Sequence, residues 1–425
     1  MNASTPPVPP KPASAYRILH TADWHLGKLL GDKSRDEEHA RFLGWLLAEV
    51  ESRRVDAIIL AGDVFDSANP PQSALARYYD FVSDLHKLGG CSLAVLSGNH
   101  DSATLLEAPK RLLRALDVHI AGYLEEDPKR RWLFLPDGAN PRVAVALLPF
   151  LRDRDLRAGK FGESAEEIRA CITKGIQSRY AETAEAVNCG CPVLATGHLT
   201  VVGSARVATD SEREIHIGGL GAIAPEAFPA TFSYVALGHL HRPHAVDSGG
   251  RIRYAGSPIP LSFSEANDCK EVRILDVFAD RIEHYALPVP AARKLVQLRT
   301  TRVALESALA ACNLQPGDLS TWVEVVVEDA AFDSDLVEQV RGLAEGRDFE
   351  VLKVMRASVG MPAGVAIPGD RSEGEISGML EKPEDVFQSL LERQPHITEE
   401  ERESLKLAFS ALHELVKESG DCVLP

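Results

Sequence analysis

The stretch Ile18-Leu19-His20-Thr21-Ala22-Asp23-Trp24-His25-Leu26-Gly27-Lys28 begins as a short apolar strand and ends in a polar turn that carries an acid and a histidine. Helical patterns follow at residues 35–53 and 73–88, and each precedes another short apolar run, at residues 55–60 and 92–96. Strands and helices that alternate at this spacing are typical of a parallel sheet. The pattern predicts a βαβαβ start and a protein of the α/β class.

Polar motifs follow the ends of five predicted strands, which are the three above and two later runs at residues 192–196 and 234–237. Ligands of open α/β sheets gather at the carboxyl ends of strands, so residues that are distant in sequence are expected to meet there. In chain order the motifs are Asp23-Trp24-His25, Gly62-Asp63-Val64-Phe65-Asp66, Gly98-Asn99-His100-Asp101, Gly197-His198 and Gly238-His239-Leu240-His241.

These motifs contain the side chains that a pair of metal ions needs. Two neighbouring ions require carboxylate, imidazole and amide ligands, one of them bridging, and an open face for a phosphate oxygen and a water. Asp63 can bridge with its two oxygens, and Asn99 offers a neutral carbonyl. The single residue between His239 and His241 lets an extended backbone place both imidazoles on one face. The seven candidate ligands are Asp23, His25, Asp63, Asn99, His198, His239 and His241.

Composition restricts the class of protein. The 425 residues are 45% hydrophobic and 25% charged, as in soluble globular proteins with more than one folded unit. The seven cysteines are odd in number and scattered, which favours a reducing cytoplasm over a disulfide framework, and Cys189 and Cys191 are predicted to be ordinary buried thiols. No apolar run is long enough to cross a bilayer. Residues 1–15 contain five prolines and no apolar core of a signal peptide, so a disordered leader is predicted.

The pattern changes after about residue 285, and four regions are predicted beyond the leader. A domain that carries all the candidate ligands would span residues 16–285, a small α+β unit without candidate ligands residues 286–357, a Gly-, Pro- and Ser-rich linker residues 358–376, and a helical pair residues 377–425. Residues 370–425 carry 14 acidic and 6 basic side chains, which is half of the net charge of −16. The apolar stripe of the second helix needs a cover, either a partner protein or the preceding unit.

The motif set closely resembles the calcineurin-like metallophosphoesterase superfamily. The resemblance implies a four-layered β-sandwich flanked by helices and two metal ions. One ion would be bound by Asp23, His25, Asp63 and His241, and the other by Asp63, Asn99, His198 and His239. It also implies that His100 contacts the phosphate and assists the leaving oxygen, and that Asp66 orients His100.

Within that superfamily the chain resembles the bacterial SbcD nucleases over residues 18–276. That likeness implies a nuclease domain at residues 16–285 with Mn²⁺ as the metal and Mg²⁺ possible, a capping domain that binds DNA at residues 286–357, and C-terminal helices that bind an SbcC-type coiled-coil ATPase. It further implies a homodimer within a heterotetramer, paired through helices that include residues 73–88. The expected activity is ATP-dependent exonuclease cleavage of double strands and endonuclease cleavage of single strands and hairpins, in repair, recombination and replication. A cytoplasmic, nucleoid-associated location is expected. Relatives in archaea and eukaryotes often have histidine where this chain has Asp66.

Residues outside the motifs leave alternatives open. Arg152, Arg154, Arg157 and Lys160 form a local basic cluster that either meets a phosphate backbone or is a solvated surface. Arg242 either binds phosphate or neutralises the acidic site. A phosphomonoesterase or cyclic-nucleotide phosphodiesterase would share the ligand set, and a structural subunit would have lost it.

Overall fold

The computed structural model describes residues 8–157, 163–201, 223–311, 319–328 and 335–356, together with residues 405, 406 and 409. Its strands are β1 Tyr16–Thr21, β2 Leu29–Leu30, β3 Lys33–Ser34, β4 Ala57–Leu60, β5 Ser92–Leu96, β6 Val118–Ala121, β7 Trp132–Leu135, β8 Val143–Ala146, β9 Val193–His198, β10 Tyr234–Gly238, β11 His244–Ala245, β12 Ile252–Tyr254, β13 Glu271–Val277, β14 Ile282–Pro288, β15 Leu295–Thr300, β16 Thr321–Val327 and β17 Phe349–Arg356. Its α-helices are α1 Asp36–Arg53, α2 Gln72–Leu88, α3 Ala103–Glu107, α4 Lys110–Arg114, α5 Asp153–Leu156, α6 Ala165–Glu185, α7 Leu305–Ala311 and α8 Leu336–Ala344.

The first sheet has six strands in the order β14-β13-β1-β4-β5-β6. Strands β1, β4, β5 and β6 are parallel, and β13 and β14 extend the sheet in antiparallel fashion. The register pairs Leu19 with Ile58 and Ile58 with Leu93, so these side chains share one face, which packs against α1 and α2. The predicted βαβαβ start is confirmed, with element ends within two residues of those predicted.

The second sheet has the order β11-β12-β10-β9-β8-β7, with β8, β9, β10 and β12 parallel. Its inner face packs on the first sheet, where Ile59 meets Val145 and Ala236 in one core. Its outer face is covered by α6 through Ile172, Ile176 and other apolar side chains. The layers therefore run helix, sheet, sheet, helix, which confirms the predicted α/β sandwich flanked by helices.

A third sheet of three parallel strands, β15-β16-β17, packs with α7 and α8 around a separate apolar core. The unit contains both strands and helices, as the predicted α+β pattern requires. The predicted boundaries at residues 286 and 357 stay predictions. The linker and the C-terminal helices lie outside the described residues, apart from residues 405, 406 and 409.

A buried group of charges joins this sheet to α1. The Glu38 carboxylate accepts hydrogen bonds from the Arg35 guanidinium at 2.6–2.9 Å and lies 3.2 Å from Arg293 Nε. The Arg293 guanidinium stacks 3.8 Å from the centre of the Trp322 ring, on β16. Because all four side chains are nearly inaccessible, the two cations are stabilised by the carboxylate and by the ring rather than by water.

The predicted disordered leader is wrong for residues 8–15. The Pro9 carbonyl accepts a hydrogen bond from Arg17 at 3.0 Å, Lys11 donates to the Arg54 carbonyl at 3.0 Å, and Val8 packs against the core. Prolines fix φ and so lower the entropy cost of ordering such a segment. Residues 1–7 lie outside the described part. No helix within the described ranges has the length and apolarity needed to span a bilayer.

Candidate metal centre

The two sheets bring the five polar motifs to one edge. Asp23 follows β1, Asp63 follows β4 and Asn99 follows β5, all at carboxyl ends of the first sheet. His198 is the last residue of β9, and His239 follows β10, at the same edge of the second sheet. The structure thus brings together all seven predicted ligands, which we call the ligand cluster: Asp23, His25, Asp63, Asn99, His198, His239 and His241.

The backbone at the ligand cluster is unusual. Asp23, His25, Asp63 and His239 have φ values of 53°, 47°, 49° and 99°. Only two other non-glycine residues of the described part, Arg54 and Asp117, have positive φ. Left-handed backbone costs about 1–3 kcal/mol per residue and persists where the surrounding structure enforces it. The sharp turns at the strand ends bring these side chains close to one another.

Glycines allow the motif loops to approach each other. A Cβ at Gly98 would collide with the backbone and carboxylate of Asp63, and a Cβ at Gly62 would collide with the His198 ring. Gly62 also has φ +89°. The glycines that precede the candidate ligands are therefore needed for close contact between loops as well as for turning.

Asp63 lies at the centre of the cluster. Its Oδ2 is 3.5 Å from His25 Nε2 and 3.3 Å from His198 Nε2. Its Oδ1 accepts a hydrogen bond from the His100 backbone N–H at 2.9 Å. The sequence prediction used both oxygens as a bridge, whereas the structure directs one oxygen to both imidazoles and ties the other to the main chain.

The remaining ligands divide around Asp63. Ligand atoms of Asp23, His25 and His241 lie within 4.8 Å of one another, and so do those of Asp23, Asp63 and His198. His198 Nε2 is 2.9 Å from Asn99 Oδ1, and the His198 and His239 rings are 5.4 Å apart. The first grouping agrees with one implied ligand set and the contacts of His198 with Asn99 and His239 agree with the other, whereas the grouping of Asp23, Asp63 and His198 crosses the two sets. The division of the ligands between two ions therefore stays a prediction.

The pKa values of the ligand cluster favour a charged carboxylate at Asp63 and neutral imidazoles at most of the histidines, which suits cation binding. Burial would raise the pKa of Asp63, but the neighbouring histidines outweigh it and hold that pKa well below its usual range. Burial alone would lower the pKa of His198, yet the Asp63 and Asp23 carboxylates raise it to about 9. Burial lowers the pKa of His25, His239 and His241. His198 Nδ1 donates to the Ala61 carbonyl at 2.9 Å, which leaves Nε2 for a metal ion once the ring is neutral.

The structure changes the role predicted for Asp66. His100 Nδ1 donates to the backbone carbonyl of Asp66 at 2.8 Å, so Asp66 holds His100 through its main chain. The Asp66 carboxylate instead lies 3.2 Å from His25 Nδ1 and 3.0 Å from Lys28 Nζ. Burial opposes ionisation of this carboxylate, but His25 and Lys28 keep its pKa well below the usual range. The acid orients a candidate ligand, and the predicted carboxylate contact with His100 is replaced by a carbonyl contact.

Sequence reasoning missed Glu265, which supports His241. Glu265 is fully buried, and its Oε1 lies 3.4 Å from His241 Nδ1. Its Oε2 accepts hydrogen bonds from Lys270 Nζ at 2.6 Å and from the Leu261 N–H at 3.1 Å. Lys270 also donates to the His241 carbonyl at 2.9 Å and to Ser257 Oγ at 3.0 Å. No motif or spacing marks this network, because tertiary structure brings its members together from separate segments of the chain.

Asp101 is a second supporting acid. Its carboxylate accepts hydrogen bonds from the backbone N–H groups of Val64, Phe65 and Gly98 at 2.8–3.1 Å. It therefore ties the loop that carries Asp63 to the loop that carries Asn99. Its position inside the Gly98-Asn99-His100-Asp101 motif was the available signal for such a role.

The predicted basic contacts fall into two places. The Arg152 and Arg154 guanidinium groups lie 5.3 Å and 5.8 Å from the centre of the Tyr123 ring. Arg242 binds the Asp268 carboxylate at 2.7–3.0 Å, an acid outside the ligand cluster, so neither alternative proposed for this residue is decided by the contact. The local basic cluster also included Arg157 and Lys160. Arg157 pairs with Glu163 at 2.6 Å, and Lys160 lies outside the described residues.

Cys189 and Cys191 are half-buried rather than buried, with sulfurs 3.2 Å apart. Trp24 is fully buried and packs edge-on against Phe42 and Phe81. It therefore belongs to the core behind the site.

Comparisons with known proteins agree with this geometry. Residues 16–159 match the family model for calcineurin-like phosphoesterases, and residues 292–394 match a model described as the type 5 capsule protein repressor C-terminal domain. The chain is 35% identical over 350 residues to the SbcD subunit of the SbcCD nuclease from Escherichia coli K12, covering 80% of this chain and 85% of that protein. It is 41% identical over 285 residues to SbcD of Rhodobacter capsulatus, covering 64% and 70%. It is 37% identical over 264 residues to SbcD of Bacillus subtilis, covering 61% and 66%. The chain belongs to the SbcD family of nuclease subunits, a branch of the calcineurin-like phosphoesterases.

Proposed function

We propose that this chain, a metal-dependent nuclease subunit by family, hydrolyses phosphodiester bonds of DNA with two divalent metal ions. The observation that supports the proposal is the meeting of the whole ligand cluster around Asp63 Oδ2, which faces imidazoles of both predicted ligand sets. Asp23, His25, Asp63 and His241 would hold one ion. Asp63, Asn99, His198 and His239 would hold the other.

The donor set fits such ions. His25 Nε2 is buried and lacks a hydrogen-bond partner within the described ranges, although Asp63 Oδ2 is 3.5 Å away. A metal ion would satisfy a buried nitrogen of this kind. Mixed imidazole, carboxylate and amide donors suit Mn²⁺ better than Mg²⁺, which prefers oxygen ligands and remains the alternative. When bound, the two ions would lower the pKa of a water molecule and polarise the scissile phosphate.

His100 would act on the departing oxygen. Its Nδ1 donates to the Asp66 carbonyl, and its ring lies edge-on to His25 with ring centres 4.7 Å apart. A ligand atom of His100 lies within 4.8 Å of those of His25 and Asp63. With Nδ1 committed to a carbonyl, the imidazolium form would present Nε2–H to a phosphate oxygen and transfer that proton to the leaving group.

The substrate and partner assignments complete the proposal. Double-stranded DNA ends and hairpins would be cut together with an SbcC-type ATPase and ATP, in repair, recombination and replication, by a cytoplasmic, nucleoid-associated complex. Residues 286–357 would act as a DNA-binding cap and the C-terminal helices as the ATPase-binding element. Exposed Tyr79 and Leu88 on α2 support a homodimer contact on that helix. Arg152 and Arg154 would contact phosphates, with Arg242 a weaker candidate because Asp268 already pairs with it.

Cleavage of end-labelled linear duplex DNA in Mn²⁺ tests the proposal. We expect His100→Ala to lower the rate about a hundredfold or more while Mn²⁺ still binds, and Asp63→Asn to lower both cleavage and Mn²⁺ binding. His119→Gln, which changes a largely buried histidine paired with Asp117 at 3.0 Å, is the matched control and should cut normally.

Two outcomes would overturn the proposal. Efficient hydrolysis of small phosphate esters without DNA cleavage, even with the ATPase and ATP, would favour the phosphatase or small-phosphodiester alternative. Only traces of bound Mn²⁺ would favour a structural subunit.

A further inference from the structure

A tyrosine and two arginines lie beside the ligand cluster, at the same edge of the first sheet. Tyr123 follows β6, which pairs in parallel with β5, the strand that leads to Asn99. Ser97, between β5 and Asn99, donates its hydroxyl to the Gly122 carbonyl at 2.8 Å and its N–H to the Ala121 carbonyl at 3.1 Å. Tyr123 is therefore fixed next to the loop that carries Asn99 and His100.

The two arginines reach this place from the second sheet. The loop after β8 is tied to the first sheet by the Phe150 N–H, which donates to the Ser97 carbonyl at 2.9 Å. The Phe150 ring lies edge-on to His198, 6.5 Å between ring centres. Two residues later, Arg152 is the N-cap residue directly before α5, and its N–H donates to the Asp155 carboxylate at 2.9 Å. The loop thus runs from the ligand cluster to the Tyr123 ring.

The side chains form a partly exposed aromatic surface with fixed cations. Tyr123 is 39% exposed, and its hydroxyl is held by Thr104 Oγ1 at 2.5 Å. The guanidinium carbons of Arg152 and Arg154 lie within 6 Å of the ring centre, at cation–π distance. The ion pair between Arg154 and Asp155 is long, 3.9 Å, and the Arg154 side chain is 66% exposed. These cations are positioned by the ring more than by acids.

We propose that Tyr123, Arg152 and Arg154 form a subsite for an unpaired nucleotide of a DNA strand beside the cleavage site. The inference rests on the proposed nuclease function and adds the form of the substrate to it. In a duplex both faces of a base are already stacked, so an exposed ring with flanking guanidinium groups suits a base that is unpaired, with its phosphates on the arginines.

Fluorescence anisotropy without Mn²⁺ tests the subsite, because it measures binding without cleavage. The probes are a short labelled oligothymidine and a blunt duplex of equal length. We expect Tyr123→Ala to weaken oligothymidine binding about fivefold to fiftyfold and duplex binding far less, and Tyr123→Phe to retain most of the affinity. Arg152→Ala and Arg154→Ala should each weaken binding and lower the salt dependence by about one phosphate contact.

Arg281→Ala is the matched control. Arg281 stacks 4.0 Å from the centre of the Phe278 ring, in the turn that follows β13. The end of β13 pairs with the beginning of β1, so this turn lies at the edge of the sheet opposite to the ligand cluster. This variant should bind both probes like the natural chain.

Two results would overturn the subsite. One is equal binding of oligothymidine by Tyr123→Ala and the natural chain, and the other is equal losses for both probes, which would indicate a duplex phosphate contact. If the natural chain cuts duplex DNA in Mn²⁺, either result rejects the subsite alone. If it neither cuts nor binds DNA, the proposed function fails with it.

Discussion

Replacing Glu265 with glutamine would remove one charge from the buried network behind His241 while keeping the size of the side chain. Burial opposes ionisation of Glu265, but His241 and Lys270 hold its pKa well below the usual range, so the natural residue is a carboxylate at neutral pH. The amide in Glu265→Gln can still accept the Lys270 hydrogen bond, which spans 2.6 Å in the natural chain. The neutral amide no longer balances the positive charge of the Lys270 ammonium group.

Two magnitudes follow from these contacts. Lys270 is 6% exposed and would keep its bonds to the His241 carbonyl and Ser257, yet lose its counter-ion. Removing one partner of a buried pair costs about 3–5 kcal/mol, and the retained hydrogen bonds place the expected loss at the lower end, about 3 kcal/mol. Loss of a carboxylate behind a ligating histidine weakens metal binding by about 10–100-fold. We expect one Mn²⁺ site to weaken by at least about tenfold.

Mn²⁺ titration calorimetry and urea unfolding separate the two effects. The matched control is Glu182→Gln, because the Glu182 carboxylate pairs with Arg131 at 2.6 Å and Arg179 at 3.0 Å, away from the ligand cluster. This control should lose some stability and no Mn²⁺ affinity. Natural Mn²⁺ affinity at both sites in Glu265→Gln would refute the role assigned to Glu265, whatever happens to stability.

Three further changes have measurable results. Burial and nearby arginines lower the pKa of His20 to about 3, against an ordinary value of 6.5. As the pH falls, the unfolded chain therefore binds the proton before the folded chain does, and the free energy of unfolding decreases from about pH 6.5 towards pH 3. Between pH 7 and 5, urea titrations should show that His20→Gln loses up to about 2 kcal/mol less of its free energy of unfolding than the natural chain. Trp322→Ala removes the ring under Arg293 and should lower the free energy of unfolding by about 3–5 kcal/mol, with Trp322→Phe losing less. Gly98→Ala should weaken Mn²⁺ binding at least about tenfold, measured by calorimetry, because the added Cβ would collide with Asp63. The control is Gly44→Ala on α1, where the added Cβ meets no other atom, and this variant should bind Mn²⁺ like the natural chain.

The fold and the ligand cluster could be predicted because both are encoded locally. Short apolar strands are followed at once by polar motifs, and parallel strands place their carboxyl ends at one edge, so Asp23, Asp63 and Asn99 had to meet. Long helices with clear apolar faces, such as α1 and α2, gave element ends within one residue of those observed.

Other features were not predicted, for identifiable reasons. Helix α6 was missed although Ser164 and Glu167 form a capping box at its beginning, so a usable signal existed. Glu265 and Lys270 carry no comparable signal, because the acid, at the end of a one-turn 3-10 helix, gains its role only when tertiary structure places it behind a histidine. The contact between the Asp66 carbonyl and His100 is equally invisible, since every residue has a carbonyl and only the turn decides which one faces the ring.

The strained turns explain how the cluster is held before any metal ion binds. The Asp23 N–H donates to the Gly62 carbonyl and the His25 N–H to the Asp63 carbonyl, both at 3.0 Å, so the first two motif loops are tied to each other. The His239 N–H donates to Asp23 Oδ1 at 2.8 Å, which ties in the second sheet. Each donor is a residue with left-handed backbone. The bond to the Asp23 carboxylate contributes about 1.5–3 kcal/mol and each bond to a carbonyl about 0.5–1.5 kcal/mol, which offsets part of the cost of the turns. The geometry of the ligands is therefore set by the fold, and metal ions would enter a site that is already formed.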